Sequence, residues 1–164
     1  MAERSGEGSG ERGCSRPLLV SACLLGVRCN HEGGANTSEA VVALGARFRL
    51  VPVCPETAGG LPTPRPRAEL SVADGRVRTA SGADVTSSYA RGAAHAVRLA
   101  GSLGAAAAVL KARSPSCGCH EIYDGTFTRT RVPGEGVTAS ALRAAGVQVL
   151  SEDDIASGDL PPSE

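Results

Sequence analysis

The sequence predicts an α/β fold, a single domain with a mostly parallel sheet and helices on both faces. Short apolar runs alternate with amphipathic segments along the chain, an order typical of this class. The apolar runs have the length of strands that are buried on both faces, and turn-forming residues follow them. Parallel strands end at one edge of their sheet, so we expect a ligand site beyond those carboxyl ends.

The 164-residue chain is long enough for one domain, which we place at residues 17–155. Residues 1–16 are rich in Gly, Ser and alternating charge without an apolar period, the composition of a disordered tail. The polar residues 156–164 are predicted to form a flexible C-terminal tail.

Two strands and a helix are predicted in the first third of the domain. The apolar run Pro17–Ala22 predicts a strand covered on both faces. A short helix, capped by Thr37 or Ser38, is expected to run through Leu44. Arg49–Val53 predicts the second strand.

The middle of the chain is predicted to form a loop and then a hairpin. Pro55–Pro66 contains several prolines, whose fixed φ angles favour a stiff, ordered loop. The pair Asp74-Gly75 predicts a turn between strands at Leu70–Ala73 and Arg76–Arg78.

A long helix and a buried strand follow. Apolar residues recur at helical spacing after Asp84, which is expected to cap a helix that ends near Gly101 or Gly104. Ala105–Leu110 lies between this helix and a Ser-Pro loop, which favours a buried parallel strand.

The remaining elements complete the alternation. Asp124-Gly125 predicts a small hairpin, because Asp-Gly pairs suit tight turns. Val137–Ala145 predicts a helix closed by Gly146, and Val147–Leu150 predicts the last strand.

Composition excludes two classes of partner. Lys plus Arg and Asp plus Glu both number 17, and the chain has two Tyr, two Phe and no Trp, so neither charge nor base stacking favours nucleic acid. The aliphatic run Ala105–Leu110 is too short for a membrane span. No apolar signal segment is visible at the N-terminus, and we expect a cytoplasmic protein.

Three of the six cysteines fall where the fold class places a ligand site. Cys23 and Cys54 directly follow the first two predicted strands, and Cys117 lies in the loop after Ala105–Leu110. Three thiolates suit either a zinc ion completed by water or a cubane iron–sulfur cluster with one open iron. His31 or His120 would favour zinc if either completed a tetrahedron.

Several motifs carry a family resemblance: Ser21-Ala22-Cys23-Leu24-Leu25-Gly26, Cys54-Pro55-Glu56, Gly59-Gly60-Leu61-Pro62-Thr63-Pro64-Arg65, Ser114-Pro115-Ser116-Cys117-Gly118, Gly82-Ala83-Asp84-Val85-Thr86, Ile122-Tyr123-Asp124-Gly125 and Gly134-Glu135-Gly136-Val137-Thr138. Together they make residues 17–153 similar to the thiouracil desulfurases, a bacterial family long catalogued as a domain of unknown function.

The resemblance implies a cofactor and a reaction. It implies a 4Fe-4S cluster held by Cys23, Cys54 and Cys117, with one iron free for the sulfur of a thiolated base. The implied reaction is non-redox desulfuration of a thiolated pyrimidine such as thiouracil to uracil, with release of sulfide. The open iron would act as a soft Lewis acid.

Candidate catalytic and substrate-binding residues lie beside the implied cluster ligands. Glu56, two residues after Cys54, is the candidate general acid/base, the alternative being an ion pair with Arg65. Ser114 is the first choice for a catalytic and substrate-binding hydroxyl, and Ser116 a second substrate contact. Both serines can instead cap the loop backbone.

Two other functions stay open from the residues alone. Cys117 and Cys119 could form the working pair of a sulfur carrier or redox protein. A zinc-stabilised binding module would need His31 or His120. Cys29 is given no ligand role, because a fourth protein thiolate would close the iron that the substrate needs, and Cys119 is expected to be a bystander or a sulfur acceptor.

Overall fold

The computed structural model describes residues 15–163. The central feature of these residues is a sheet of four parallel strands. Two antiparallel hairpins and several helices surround the sheet. The strands are β1 (Pro17–Ser21), β2 (Arg49–Val53), β3 (Ala68–Leu70), β4 (Val77–Thr79), β5 (Ala107–Leu110), β6 (Glu121–Tyr123), β7 (Arg131–Pro133) and β8 (Gln148–Ser151). The helices are α1 (Glu39–Ala43), α2 (Pro55–Ala58), α3 (Thr86–Leu103), α4 (Val137–Ala144) and α5 (Glu152–Ala156).

The sheet has the order β2-β1-β5-β8, and every neighbouring pair is parallel. The fully buried β5 occupies an interior place, as its continuous apolar run predicted. All four strands therefore end at the same edge of the sheet.

Helices cover both faces of this sheet, which confirms the predicted fold class. On one face Leu18 and Val20 pack in a cluster that includes Val41 of α1 and Ile155 of α5. Alternate strand residues point the other way, and Leu19 packs in a second cluster formed largely by α3, α4 and the adjoining strands.

Two helices were missed by the sequence reasoning. Residues 55–58 form α2 instead of the start of an irregular loop, with Pro55 in the first turn, where its missing N–H costs no hydrogen bond. The second is α5, which begins in a capping box: the Ser151 hydroxyl accepts from the Asp154 N–H, and the Asp154 carboxylate accepts from the Ser151 N–H.

Other boundaries differ in detail. Ser38 is the residue that caps α1, accepting from the Val41 N–H. Asp84 is not the cap of α3: Val85 takes that place, while the Asp84 carboxylate accepts from the Thr86 N–H at 3.0 Å.

The predicted hairpins are present with longer turns. Residues 71–76 connect β3 with β4, and residues 124–130 connect β6 with β7, so each Asp-Gly pair lies inside a larger loop. Of the predicted tails, residues 1–14 fall outside the described part of the chain. Pro161, in the predicted C-terminal tail, is buried.

Helices α2 and α3 cross without side chains between them. A methyl group at Gly92 of α3 would overlap the Pro55 carbonyl, and one at Gly59 would overlap the Ser88 carbonyl. This close approach fixes the segment that follows Cys54 against the long helix.

We expect Gly92→Ala to destabilise the protein by about 1–3 kcal/mol, because the added methyl group must push two backbones apart. Gly101→Ala is the matched control in the same helix, since a Cβ at Gly101 meets no neighbour within 4 Å. That control should stabilise the helix by about 0.5–1 kcal/mol. Thermal unfolding of both variants checks this, and equal melting temperatures would contradict the close crossing.

Candidate functional site

Three thiols from three separate strand ends meet at the carboxyl edge of the sheet. Cys23 lies in a 3-10 turn (Ala22–Leu25) that follows β1, Cys54 follows β2, and Cys117 lies in the loop after β5. All three line one cavity of about 290 Å³. Residues about 30 and 60 positions apart in sequence are thus brought together by the parallel sheet.

A fourth thiol, Cys29, lines the same cavity. The Cys54 thiol faces the Cys29 carbonyl oxygen at 3.9 Å, and the Cys29 side chain is in hydrogen-bond reach of Cys54. Cys29 therefore lies beside the candidate ligand Cys54. The sequence contained no signal for this placement, and we gave Cys29 no ligand role.

The buried end of the cavity is organised by the last residue of β1. The Ser21 hydroxyl donates to the Cys117 sulfur at 3.4 Å and accepts from the Lys111 N–H at 2.9 Å. A side-chain hydrogen bond from Asn36 reaches Cys23. These polar contacts favour sulfur in its anionic form.

Burial has the opposite and larger effect on the thiols. It raises the pKa of Cys117 to about 12, and the Ser21 and Ser116 hydroxyls only partly offset this. Burial and the neighbouring Cys54 raise the pKa of Cys29 to about 12, and burial raises the pKa of Cys23. Without a cation, Cys23, Cys29 and Cys117 are therefore thiols, and a bound metal would deprotonate its cysteine ligands.

A carboxylate stands beside the thiols, oriented by an arginine. The Arg65 Nε lies 2.5 Å from the Glu56 Oε2, and both side chains are largely buried. The same guanidinium donates to the Cys29 carbonyl at 2.9 Å. The ion pair with Arg65, which the sequence analysis gave as the alternative role of Glu56, is therefore present, and Glu56 also lines the cavity.

Tyr89 of α3 contacts the same carboxylate. Its hydroxyl is within hydrogen-bond reach of Glu56, and its side chain lines the cavity although only 3% of the residue is exposed. Burial, with Glu56 as the next cause, raises the pKa of Tyr89 well above its ordinary value. The phenol therefore stays protonated and can donate a hydrogen bond to Glu56.

The two candidate serines occupy different environments. Ser114 lines the cavity, and its hydroxyl accepts from the N–H groups of Ser116 and Cys117, each at 3.1 Å. Ser116 is buried, is not among the residues that line the cavity, and shares a hydrogen bond of 2.8 Å with the Thr138 hydroxyl. Both serines thus shape the backbone around Cys117.

The remaining candidates from the sequence separate into two places. His31 lines the cavity, whereas His120 pairs with Asp154 at 2.7 Å outside its lining. Cys119, His120 and Asp154 form their own group of potential ligand atoms, within 4.8 Å of one another. Cys119 is buried, and burial raises its pKa to about 11, a poor setting for a redox partner of Cys117.

Comparison with known proteins decides the family. The family model of 2-thiouracil desulfurase matches residues 18–154. The chain belongs to this family. The desulfurase family predicted from the cysteine motifs is thereby confirmed, and it leaves the sulfur-carrier and zinc-module alternatives without support of their own.

Two relatives of this desulfurase family member are similar over nearly their whole length. YbbK of Bacillus subtilis (strain 168) is 41% identical over 146 residues, which cover 84% of this chain and 97% of YbbK. The solved structure of TudS, described as a 4Fe-4S-dependent thiouracil desulfidase, is 45% identical. It matches with a TM-score of 0.80 and covers 87% of this chain and 95% of TudS.

Among residues 15–163, none of the helices combines the length and the apolar character that a membrane span requires.

Some functional residues could not be read from the sequence. Tyr89 fits the apolar period of α3, so nothing marked its hydroxyl as facing Glu56. Ser21 looked like the end of an apolar strand. The only available signal for it was its place two residues before Cys23, at the carboxyl edge of the sheet.

We expect the buried Cys117 to resist alkylation in metal-free protein. With its pKa raised to about 12, only about one thiol in ten thousand is ionised at pH 8. Peptide mapping after brief iodoacetamide treatment should show the half-buried Cys54 modified before Cys117. Unfolded protein, in which all thiols react, is the control, and equally fast modification of Cys117 and Cys54 in the folded protein would contradict the burial.

Proposed function

We propose that this protein is an enzyme that removes sulfur from a thiolated pyrimidine such as 2-thiouracil, giving uracil and sulfide, with a 4Fe-4S cluster as cofactor. The observation that carries the proposal is the meeting of Cys23, Cys54 and Cys117 in one cavity at the carboxyl edge of the sheet. The proposal takes its reaction and cofactor from TudS, which is 45% identical.

The donor set suits the cluster. Thiolate sulfur is the ligand that iron–sulfur clusters use, and three protein thiolates leave one iron of a cubane without a protein ligand. We assign these three places to Cys23, Cys54 and Cys117, one from each strand end. When bound, the cluster supplies a soft Lewis acid for the thiocarbonyl sulfur.

Surrounding groups support this ligand assignment. The Ser21 hydroxyl donates to the Cys117 sulfur and Asn36 hydrogen-bonds Cys23, contacts that stabilise negative sulfur and adjust a cluster's potential. In this proposal Cys29 is a neighbour of Cys54 and not a ligand.

Glu56 is the proton-transfer group of the proposal. The overall change replaces the thiocarbonyl sulfur with the oxygen of water: the water oxygen bonds to the ring carbon, the C–S double bond breaks, and the sulfur leaves as hydrogen sulfide with both water protons. The Glu56 carboxylate in the cavity wall accepts one proton from the attacking water and returns it to the departing sulfur. The Arg65 guanidinium holds that carboxylate in place, and the Tyr89 hydroxyl contacts it from α3.

The serines have different tasks. Ser114 lines the cavity, and its hydroxyl hydrogen can point toward a substrate while its oxygen accepts the loop N–H groups. Ser116, bonded to Thr138 away from the cavity, supports the Cys117 loop instead of contacting substrate.

Removal of any one proposed ligand should abolish the cluster. Cys23→Ser, Cys54→Ser and Cys117→Ser are expected to reduce iron and acid-labile sulfide to near zero after anaerobic purification, because serine oxygen is a poor ligand for this metal centre. Elemental analysis and the visible spectrum measure the outcome.

Cys119→Ser is the matched control, since Cys119 lies in the same segment but outside the cavity lining. It should keep the iron and sulfide content of the unaltered protein. Full cluster content in one of the three ligand variants would show that the assignment is wrong.

Glu56→Gln should slow release of sulfide from 2-thiouracil by about 10²–10⁴-fold, the ordinary contribution of a general base, while leaving iron content unchanged. Turnover of the anaerobic protein, followed by sulfide assay, tests this. Glu39→Gln, on α1 outside the cavity lining, is the control and should turn over normally. Undiminished turnover in Glu56→Gln would remove the carboxylate from the mechanism.

A further inference from the structure

Arg67 lines the cavity but has no role in the reaction proposed above. Pro66 and Arg67 just before β3, Ala68 at its start, and Tyr123 of β6 line the cavity that contains the three thiols. The Arg67 guanidinium carbon lies 4.9 Å from the centre of the Tyr123 ring, a cation–π arrangement. The aromatic face thus fixes the plane of the guanidinium beside the cavity.

A buried carboxylate fixes the same arginine from a second side. The Glu69 side chain is 1% exposed, and neither of its carboxylate oxygens has a hydrogen-bond partner within residues 15–163. Its Oε2 lies 3.6 Å from the Arg67 Nη2, a distance for an ion pair without a hydrogen bond. A charge buried in this way is costly, so Glu69 depends on Arg67 and restrains it.

The other cationic side chains of the cavity are already engaged. Arg65 pairs with Glu56, Lys111 with Glu152, and Arg113 with Asp153. Within the described residues, the Arg67 side chain makes no hydrogen bond, although a guanidinium carries five N–H donors. Arg67 is therefore oriented by two neighbours and still has its donors available to a ligand.

We propose that Arg67 forms a subsite that binds a ring carbonyl oxygen of the substrate, and that Glu69 and Tyr123 are positioning residues for it. The planar donors of arginine match the lone pairs of a carbonyl oxygen. The nearby Glu69 charge reduces the net positive charge at this place, which favours a neutral carbonyl over a phosphate. This inference rests on the proposed function. It names the substrate class as thiopyrimidines that also have a carbonyl group on another ring carbon.

A pair of substrates isolates the subsite. Pyrimidine-2-thione has the thiocarbonyl of 2-thiouracil but lacks its 4-carbonyl. Arg67→Ala is expected to raise KM for 2-thiouracil by about ten- to a hundred-fold, the loss of a hydrogen bond to a charged group, and to change KM for pyrimidine-2-thione less than about two-fold. Arg47→Ala is the matched control, an arginine stacked on Phe48 and absent from the cavity lining.

Glu69→Gln tests the positioning residue. It should raise KM for 2-thiouracil several-fold with kcat and iron content unchanged, because the guanidinium loses its restraint and not its charge. A solely structural role would lower the melting temperature and leave the ratio of KM values for the two substrates unaltered, which would overturn the assignment of Glu69.

Binding of reaction products keeps this test separate from the proposed function. By calorimetry, Arg67→Ala should bind uracil about ten-fold or more weakly than the unaltered protein does, with little change for pyrimidin-2-one, which lacks the 4-carbonyl. If the protein releases sulfide from neither thione, the proposed function is refuted. The comparison of uracil with pyrimidin-2-one then still decides whether Arg67 forms the subsite. The inference would be overturned if Arg67→Ala changed KM equally for the two thiones or binding affinity equally for uracil and pyrimidin-2-one, or if it changed neither quantity.

Discussion

The organisation of this protein depends on one constraint: parallel strands must end at the same edge of their sheet. Strands β1, β2 and β5 are hydrogen-bonded neighbours in the order β2-β1-β5. A cysteine placed just after each of them therefore reaches a common space, although the three residues are far apart along the chain. The close crossing of α2 over α3 then holds Glu56 and the chain beyond Cys54 against the same space.

The cavity combines two opposing influences on sulfur. Burial raises the pKa values of Cys23, Cys29 and Cys117, while the Ser21 hydroxyl and the Asn36 side chain stabilise the anionic form of Cys117 and Cys23. Such a site is inert as a set of free thiols and becomes a good ligand set once iron is present. Glu56, which Arg65 and Tyr89 contact, lies in the same wall and is the proton-transfer group that we propose. Arg67 adds donors that have no hydrogen-bond acceptor in the described residues.

Sequence reasoning predicted the fold class and the convergence of the thiols because both follow from short-range patterns. A buried strand such as Ala107–Leu110 is visible as an apolar run, and the loop after it as a Ser-Pro segment. The helix α2 was missed, since Pro55 and the glycines after it are typical of a loop, and its packing against Gly92 is a contact between residues far apart in sequence. The contact between Tyr89 and Glu56 and the inward placement of Cys29 depend on tertiary contacts, which no local pattern encodes.

The central claim is a cubane held by three cysteines with one iron left open to substrate. Mössbauer spectroscopy of ⁵⁷Fe-labelled, anaerobically purified protein tests it most directly, because an iron without a cysteine ligand differs from its three companions. We predict that one iron subsite is distinct and that its signal alone shifts when 2-thiouracil is added. Four equivalent irons, each with a thiolate ligand from the protein, whose signals do not change when 2-thiouracil is added would contradict this arrangement.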